Sequence, residues 1–273
     1  MSEATGSLTL AQTVRRFAAD WRRYKDYVFY TAKAELRAEV ANAYLDWLWW
    51  VLEPLCLMVV YTIIFGVIFQ VSEPYFPAFV MSGIAMWRFF NLSVHDSATL
   101  VKNRKMVVTR IYVPKQMILL VYLLRCAYKS LFSFIIVFAM MVFYGISPSF
   151  SMLMLVPGYI LLFLVTYVVS CLVMHIGVFV EDMPYIVNVG LTMLMYFTGT
   201  FWSIENRVPA PFGVWLMRAN PVAHAISLAR NGLLYNTISL HWTYFAWIAV
   251  LLFLAVVVTR LIYQNENTYV KVI

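Results

Sequence analysis

The sequence predicts an all-α integral membrane protein with six transmembrane helices. An amphipathic interface helix is predicted before the first span, and two short re-entrant helices between the fifth and sixth. Of the 273 residues, 63% are hydrophobic and 12% are charged, so a soluble fold would lack the polar residues to cover its surface. Several stretches also reach the roughly 20 mostly apolar residues that a helix needs to cross a bilayer.

The N-terminal segment contains the predicted amphipathic helix. Charged residues cover most of its surface, and one apolar stripe recurs at intervals of three and four residues. The stripe consists of Val14, Phe17, Trp21, Tyr24 and Val28. Such a helix is typical of the membrane interface, although a soluble helix packed on a partner has the same pattern. The segment lacks the apolar core and cleavage site of a signal peptide.

The predicted spans follow one another with short connections. In order, they cover residues 47–69, 77–98, 117–144, 152–180, 185–202 and 243–259. Glu53-Pro54 interrupts the first span. Arg125 and Lys129 lie four residues apart in the third, so they share one helix face and can extend toward the cytoplasmic surface. Pro184 suits the first turn of the fifth span.

Lysine and arginine predict the orientation, because short loops rich in them stay in the cytoplasm. Residues 1–46 contain seven and residues 102–116 contain five, whereas the connections 72–75 and 145–151 contain none. Both termini are therefore expected in the cytoplasm. The predicted organisation is a cytoplasmic segment over residues 1–46, a transmembrane domain over 47–263 and a cytoplasmic tail over 264–273. The net charge of +7 is explained by this asymmetry and by contact with anionic lipid head groups, and not by nucleic-acid binding.

The segment of residues 203–240 is too long and too apolar to be an ordinary loop. Asn220-Pro221 has the residues of a helix start, with Asn as the cap and Pro in the first turn. Residues 209–219 predict another short helix before it. Two half-helices that enter the outer leaflet and return would cover the outer mouth of a pathway. A hairpin on the membrane surface fits the residues equally well.

No catalytic, metal-binding or nucleotide-binding pattern occurs. Neither HExxH nor GxSxG is present, and Lys129-Ser130 lacks the glycines of a phosphate-binding loop. The cysteines Cys56, Cys126 and Cys171 are interpreted as apolar residues of the spans, and the histidines His95, His175, His224 and His241 lack ligand spacing. We expect no enzyme activity, no metal and no cofactor bound by this chain. If ATP drives the protein, another chain binds it.

Several short segments follow the basic amphipathic helix in a characteristic order. They are LWWVLEPL (residues 48–55), VYTIIFGVIF (60–69), VVTRIYVPKQ (107–116), EDMP (181–184) and ANPVAHAISLARNGLL (219–234). This order resembles the type 2 ABC exporter permeases, and within them the branch that exports lipid-linked polysaccharides such as capsule, O-antigen and teichoic acid. The resemblance runs from about residue 35 to the end of the chain, and its specificity lies in the order and spacing of the segments.

The resemblance implies a homodimer in the bacterial cytoplasmic membrane that binds two separate ATPase subunits, with ATP and Mg on those subunits. A lipid-linked glycan would pass between the two halves. The loop over residues 102–115 would be the coupling segment that docks on the ATPase. Arg104, Lys105 and Arg110 would contact its acidic rim, and the apolar residues would fill its groove. The remaining residues of this prediction are Met106, Val107, Val108, Ile111 and Tyr112.

The stretch before the first span departs from the family pattern. Members usually carry several cations and a glycine there, whereas this chain has Glu39, Asn42, Tyr44 and Asp46. A simple transfer of a cationic cradle for the lipid pyrophosphate is therefore not justified. The remaining candidates for binding the lipid head group are Lys33 and Arg37, or the partner subunit.

Aromatic residues of the first and fifth spans are candidates for guiding sugar rings along the pathway. They are Trp50, Tyr61, Phe65, Tyr196, Phe197 and Trp202. Packing or anchoring at the membrane interface is the alternative for each of them. Arg88 is costly within a span unless it faces water or a partner, so it either faces the pathway or pairs with a neighbouring helix.

Two other functions share parts of this pattern. A type 2 permease for a small hydrophobic drug or lipid would have the same architecture. A membrane enzyme such as an acyltransferase or lipid phosphatase would need a converging catalytic set. His95, Asp96 and Ser97 are too isolated to form one.

Overall fold

The computed structural model describes residues 8–41, 46–71, 73–110 and 112–272, and these residues contain helices and no strand. The α-helices are α1 (Leu10–Val40), α2 (Asp46–Tyr61), α3 (Phe76–Ser97), α4 (Leu100–Asn103), α5 (Lys105–Arg110), α6 (Lys115–Phe143), α7 (Leu155–Phe179), α8 (Met183–Phe197), α9 (Ile204–Arg207), α10 (Phe212–Ala219), α11 (Pro221–Leu234) and α12 (Trp242–Val272). A π-helical segment, Thr62–Ile68, continues α2, and a 3-10 segment, Phe150–Met154, leads into α7. The all-α class is confirmed for this part of the chain.

Four helices are long and apolar enough to cross a membrane. They cover Trp47–Ile68, Lys115–Phe143, Phe150–Phe179 and Trp242–Val272 within the described ranges. These are the first, third, fourth and sixth predicted spans. The chain is therefore a multi-pass membrane protein.

The second and fifth predicted spans are also helices, but they differ from the other four. α3 has 22 residues, carries Arg88, Asn91, His95 and Asp96, and buries most of its apolar side chains against neighbouring helices. α8 has 15 residues and extends about 22 Å, which is shorter than the roughly 30 Å hydrocarbon core. Six spans therefore stay a prediction.

α1 is a single helix of 31 residues that packs on α6 and α12. Its first turn is closed by reciprocal hydrogen bonds, in which the Gln12 backbone N–H donates to Thr9 Oγ1 and the Thr9 N–H donates to Gln12 Oε1. Four residues of the predicted stripe lie in or against the core, and Val14 is half exposed. The apolar stripe thus packs on the chain's own membrane helices.

α3 is the central helix, in contact with α2, α6, α7, α8 and α11. α11 packs on α3, α7 and the 3-10 segment, and a glycine permits its closest approach. A Cβ at Gly232 would lie 2.3 Å from the backbone oxygen of Ser151, so no larger residue fits there without a shift. Ser151 Oγ also donates to the Gly232 carbonyl at 2.9 Å.

The region between the fifth and sixth predicted spans contains both of the short helices that the sequence predicts, α10 and α11, preceded by the single turn α9. Asn220 caps α11 as expected, because its Oδ1 accepts hydrogen bonds from the backbone N–H groups of Val222 and Ala223. α11 is buried along most of its length, whereas α10 buries only Gly213. Their depth in a bilayer stays a prediction.

Candidate functional site

The predicted coupling segment is divided at Arg104, where α4 ends and α5 begins. The Arg104 guanidinium turns toward α1 and forms an ion pair with Glu35, with 2.6 Å between Nη1 and Oε1. Both side chains are about one-fifth exposed, at 21% and 19%. Arg104 therefore has a partner within the chain, on the helix that precedes the first span.

Tyr112 joins the end of the coupling segment to the first and last helices of the chain, α1 and α12. Arg16 of α1 donates to its phenolic oxygen at 2.9 Å, and that hydroxyl donates to Glu266 Oε2 of α12 at 3.2 Å. Arg16 also forms an ion pair with Glu266 at 2.9 Å. Burial and the adjacent Glu266 carboxylate raise the pKa of Tyr112, so the phenol stays protonated and can donate. The segment is thus held by α1 and α12 together.

The exposed side chains of the coupling segment include Lys105, Met106 and Arg110. Met106 is 62% exposed, so its side chain is accessible to a partner protein. Val108, in contrast, is 5% exposed and belongs to the chain's own core, so it is not free to fill a partner's groove. The Val107 side chain and residue Ile111 lie outside the described residues.

A ladder of ion pairs joins the second half of α1 to α6. Glu35 also contacts Arg125, with 3.5 Å between Oε2 and Nη1, and Glu39 pairs with Lys129. The two glutamates are one helical turn apart, as are the two cations. Glu39, where the family pattern favours a cation, is therefore matched to a cation of the third span. Asn42 and Tyr44 lie outside the described residues, and the Asp46 side chain does too.

A cavity of about 540 Å³ lies on another face of α1, between α1, α2 and α6. We call it the interface pocket. It is lined by Lys33, Leu36, Arg37, Ala41, Trp50, Tyr128 and Phe132. Lys33 and Arg37 are one turn apart and exposed, and neither has an acidic partner among the described residues. The pocket thus combines an aromatic wall with two cations that have no acidic partner in the described part of the chain.

Trp50 belongs to this pocket and lies apart from the other predicted pathway aromatics. Its ring centroid is 5.3 Å from that of Phe132, and Lys129 Nζ lies 5.5 Å from the Trp50 ring centroid. Tyr61 is eleven residues further along α2, which is about 16 Å of helix. The structure therefore assigns Trp50 to the same site as the two predicted head-group cations.

Tyr61 and Phe65 pack within the chain. Their rings stack on Phe201, with centroid distances of 3.8 and 5.7 Å, and Phe201 itself is 1% exposed. Tyr196 and Phe197, at the end of α8, are about half exposed, and Trp202 is partly buried. Packing accounts for Tyr61 and Phe65, whereas a role in the pathway stays a prediction for all of these residues.

Arg88 pairs with Glu53 of α2, through Nη2 and Oε2. The Arg88 side chain is 19% exposed and that of Glu53 is 54% exposed. Of the two predicted alternatives, pairing with a neighbouring helix is the one the structure contains. Arg88 Nη1 is buried without a hydrogen-bond partner among the described residues.

The profile of the ABC-2 type transporter family matches residues 30–234, which is more than half of the chain. The chain belongs to the ABC-2 type transporter family. The match begins in α1 before Lys33 and ends at the last residue of α11, so it includes the interface pocket, the coupling segment and both short helices. The family resemblance seen in the sequence is confirmed.

Three curated relatives of this ABC-2 chain are O-antigen export system permease proteins RfbA. One from Klebsiella pneumoniae is 22% identical over 238 residues, which cover 86% of this chain and 88% of the relative. A second from the same organism is 23% identical and covers 79% and 85%. One from Myxococcus xanthus is 22% identical and covers 76% and 80%.

One important residue of this ABC-2 chain was not predicted from the sequence. Arg230 of α11 is 5% exposed, and its guanidinium donates to the backbone oxygens of Phe79, Gly199 and Thr200 at 3.0–3.2 Å. Its Cζ also lies 3.5 Å from the Phe79 ring centroid. Arg230 thus fixes α11 to α3 and to the end of α8. The sequence contained one signal for this role, because Arg230 is the single Lys, Arg, Asp or Glu in α11.

Proposed function

We propose that the chain is the transmembrane subunit of an ATP-driven exporter that moves a lipid-linked polysaccharide across the cytoplasmic membrane of a bacterium. The family match and the O-antigen export relatives support this class. The interface pocket is the observation that carries the substrate assignment. Lys33 and Arg37, which have no acidic partner within the described ranges, suit the phosphates of a lipid carrier, and aromatic rings suit its prenyl chain or first sugars.

ATP hydrolysis is assigned to separate subunits, because the sequence has no phosphate-binding loop. The active exporter would contain two copies of this chain and two ATPase subunits, with ATP and Mg on the latter. Each copy would have six spans, both termini in the cytoplasm, and α10 and α11 re-entrant from the outer side. The burial of α11 between α3 and α7 supports the re-entrant arrangement over a hairpin on the surface.

The coupling segment would transmit the ATPase movement to the membrane helices. Met106 would fill the ATPase groove and Lys105 and Arg110 would contact its rim, which the exposure of all three side chains supports. Arg104 and Tyr112 would transfer the displacement to α1 and α12, because they are bonded to those helices. α1 in turn forms one wall of the interface pocket, so the same movement would reach the head-group site.

The test uses the chain and its ATPase reconstituted in lipid nanodiscs. We expect polyprenyl-pyrophosphate-linked glycan to stimulate ATP hydrolysis. The double variant Lys33→Gln/Arg37→Gln should raise the glycan concentration needed for half-maximal stimulation about tenfold or more, because it weakens glycan binding. Arg22→Gln/Lys25→Gln is the matched control, since it removes two exposed charges of α1 outside the pocket. Stimulation by a small hydrophobic drug but not by the glycan would favour the alternative permease. Equal effects of the two double variants would remove the pocket from the proposal.

A further inference from the structure

A second cavity lies at the end of the bundle opposite the coupling segment. It has a volume of about 360 Å³ and is enclosed by α9, α10, α11 and the start of α12. We call it the distal cavity. Trp242 at the start of α12 lines it, whereas Glu266 of the same helix contacts Tyr112. Trp242 and Glu266 are 24 positions apart, which corresponds to about 36 Å of helix and separates the two sites along the bundle.

One wall of the distal cavity is a polar stripe on α11. Ser227 and Asn231 are one turn apart and both face the cavity. Ser227 Oγ donates to Glu205 Oε1 at 3.2 Å, and Asn231 Nδ2 donates to Ser239 Oγ at 3.2 Å. These bonds connect three chain segments and hold the polar groups in place before any ligand binds, as a specific site requires.

The remaining lining provides an aromatic ring and charges of both signs. The Trp242 side chain is 70% exposed. Arg218 is exposed on α10 and has no acidic partner among the described residues, and Glu205 of α9 also lines the cavity. His224 also lines the cavity, and its Nε2 is buried without a hydrogen-bond partner in the described part of the chain. Such unpaired buried polar atoms are costly, so the wall favours a polar occupant.

We propose that the distal cavity binds an uncharged sugar unit of the transported glycan. This inference rests on the proposed function and adds a second substrate site to it. A pyranose has an apolar ring face and a rim of hydroxyl groups. Trp242 can stack on the ring face, while Asn231, Ser227, Glu205 and Arg218 offer donors and acceptors to the hydroxyls.

The lining disfavours the other common ligand classes. A phosphate would be repelled by the Glu205 carboxylate, which partly offsets the attraction of Arg218 in the same lining. A lipid tail would leave His224 Nε2 without a hydrogen bond and would remove water from the charged groups of Arg218 and Glu205 without replacing it. The volume lies within the range of small-molecule pockets, at the low end that suits one or two sugar rings.

Saturation-transfer NMR on the full chain in nanodiscs tests the proposal, because this method detects weak binding. The probes are the methyl glycosides of mannose, galactose and rhamnose, without the ATPase. We expect transfer to at least one of them, and binding weakened roughly two- to tenfold by Trp242→Ala. Trp215→Ala is the matched control, since Trp215 is 71% exposed on α10 but does not line the cavity.

A second variant guards against a folding defect of the first. Arg218→Gln should reduce transfer while the thermal stability of the protein stays close to that of the wild type, because the Arg218 side chain is exposed and has no acidic partner in the described ranges. Absence of transfer to all three glycosides would overturn the inference, as would equal losses in Trp242→Ala and Trp215→Ala. Because no ATPase is present, either result would leave the glycan-stimulated hydrolysis of the complete exporter, and thus the proposed function, as a separate question.

Discussion

Replacing Glu35 with Gln removes the negative charge that joins the coupling segment to α1 and α6. Glu35 accepts from Arg104 at 2.6 Å and from Arg125 at 3.5 Å, and the three side chains are about one-fifth exposed. Exposed ion pairs contribute up to about 1 kcal/mol, whereas breaking a buried pair costs about 3–5 kcal/mol. The partial burial places this cost between them, at about 1–3 kcal/mol. The population with the coupling segment held against α1 would fall roughly 5- to 150-fold relative to the released form.

The assay is glycan-stimulated ATP hydrolysis by the exporter in nanodiscs, measured beside its basal hydrolysis. We expect Glu35→Gln to keep basal hydrolysis and lose part of the stimulation, because the ATPase would move a segment that contacts α1 through Tyr112 but no longer through the Arg104–Glu35 ion pair. Glu39→Gln is the matched control. It removes the neighbouring α1–α6 pair with Lys129 but no contact of the coupling segment.

A charge exchange separates the ion pair from the individual residues. Glu35→Arg combined with Arg104→Glu should recover part of the stimulation that each single variant loses. The reasoning would be refuted if Glu35→Gln and Glu39→Gln lowered stimulation equally, or if both left it at the wild-type value. In either case the contact between the coupling segment and α1 would not transmit the movement.

Three further predictions concern the surface and the packing. Met106→Glu should abolish co-purification of the ATPase, because a charge would replace the apolar side chain in its groove; normal recovery of the complex would contradict the docking assignment. Arg88→Ala should lower the melting temperature without changing the half-maximal glycan concentration, since Arg88 pairs with Glu53; the reverse pattern would make Arg88 a substrate residue. Gly232→Ala should lower the free energy of unfolding by about 1–3 kcal/mol, as measured by thermal unfolding. Gly190→Ala should not, because an added Cβ at Gly190 would meet no atom within 4 Å. Equal effects of the two variants would argue against the close packing of α11.

Local patterns predicted much of this fold. The 3.6-residue periodicity of the N-terminal segment predicted α1, and the Asn-Pro pair predicted the start of α11 at Pro221. Both signals depend on residues that are neighbours in the chain. The length of α8 was overestimated, because the large apolar residues Phe201 and Trp202 follow soon after Phe197, where the helix ends. Apolar residues continue beyond the helix there because Phe201 packs against α2.

The pairings that build the site could not be predicted from the sequence. Glu39 and Lys129 are 90 residues apart, and nothing in either segment specifies the other. Arg104 carried a charge that suited a partner subunit equally well, and only the approach of α1 shows that Glu35 satisfies it. Lys33 and Arg37 were predicted as head-group candidates because they are the cations that remain near the stretch where this chain departs from the family pattern. Their position beside Trp50 required the fold.

The central claim is that a separate ATPase acts on this chain through the coupling segment at its cytoplasmic face. Photo-crosslinking from position 106 in inverted membrane vesicles that contain both proteins tests it most directly. A photoreactive residue at Met106 should crosslink to the ATPase subunit, and one at Trp215, at the opposite end of the bundle, should not. The account would be contradicted if position 106 gave no crosslink, or if it were modified only by reagents confined to the periplasmic side.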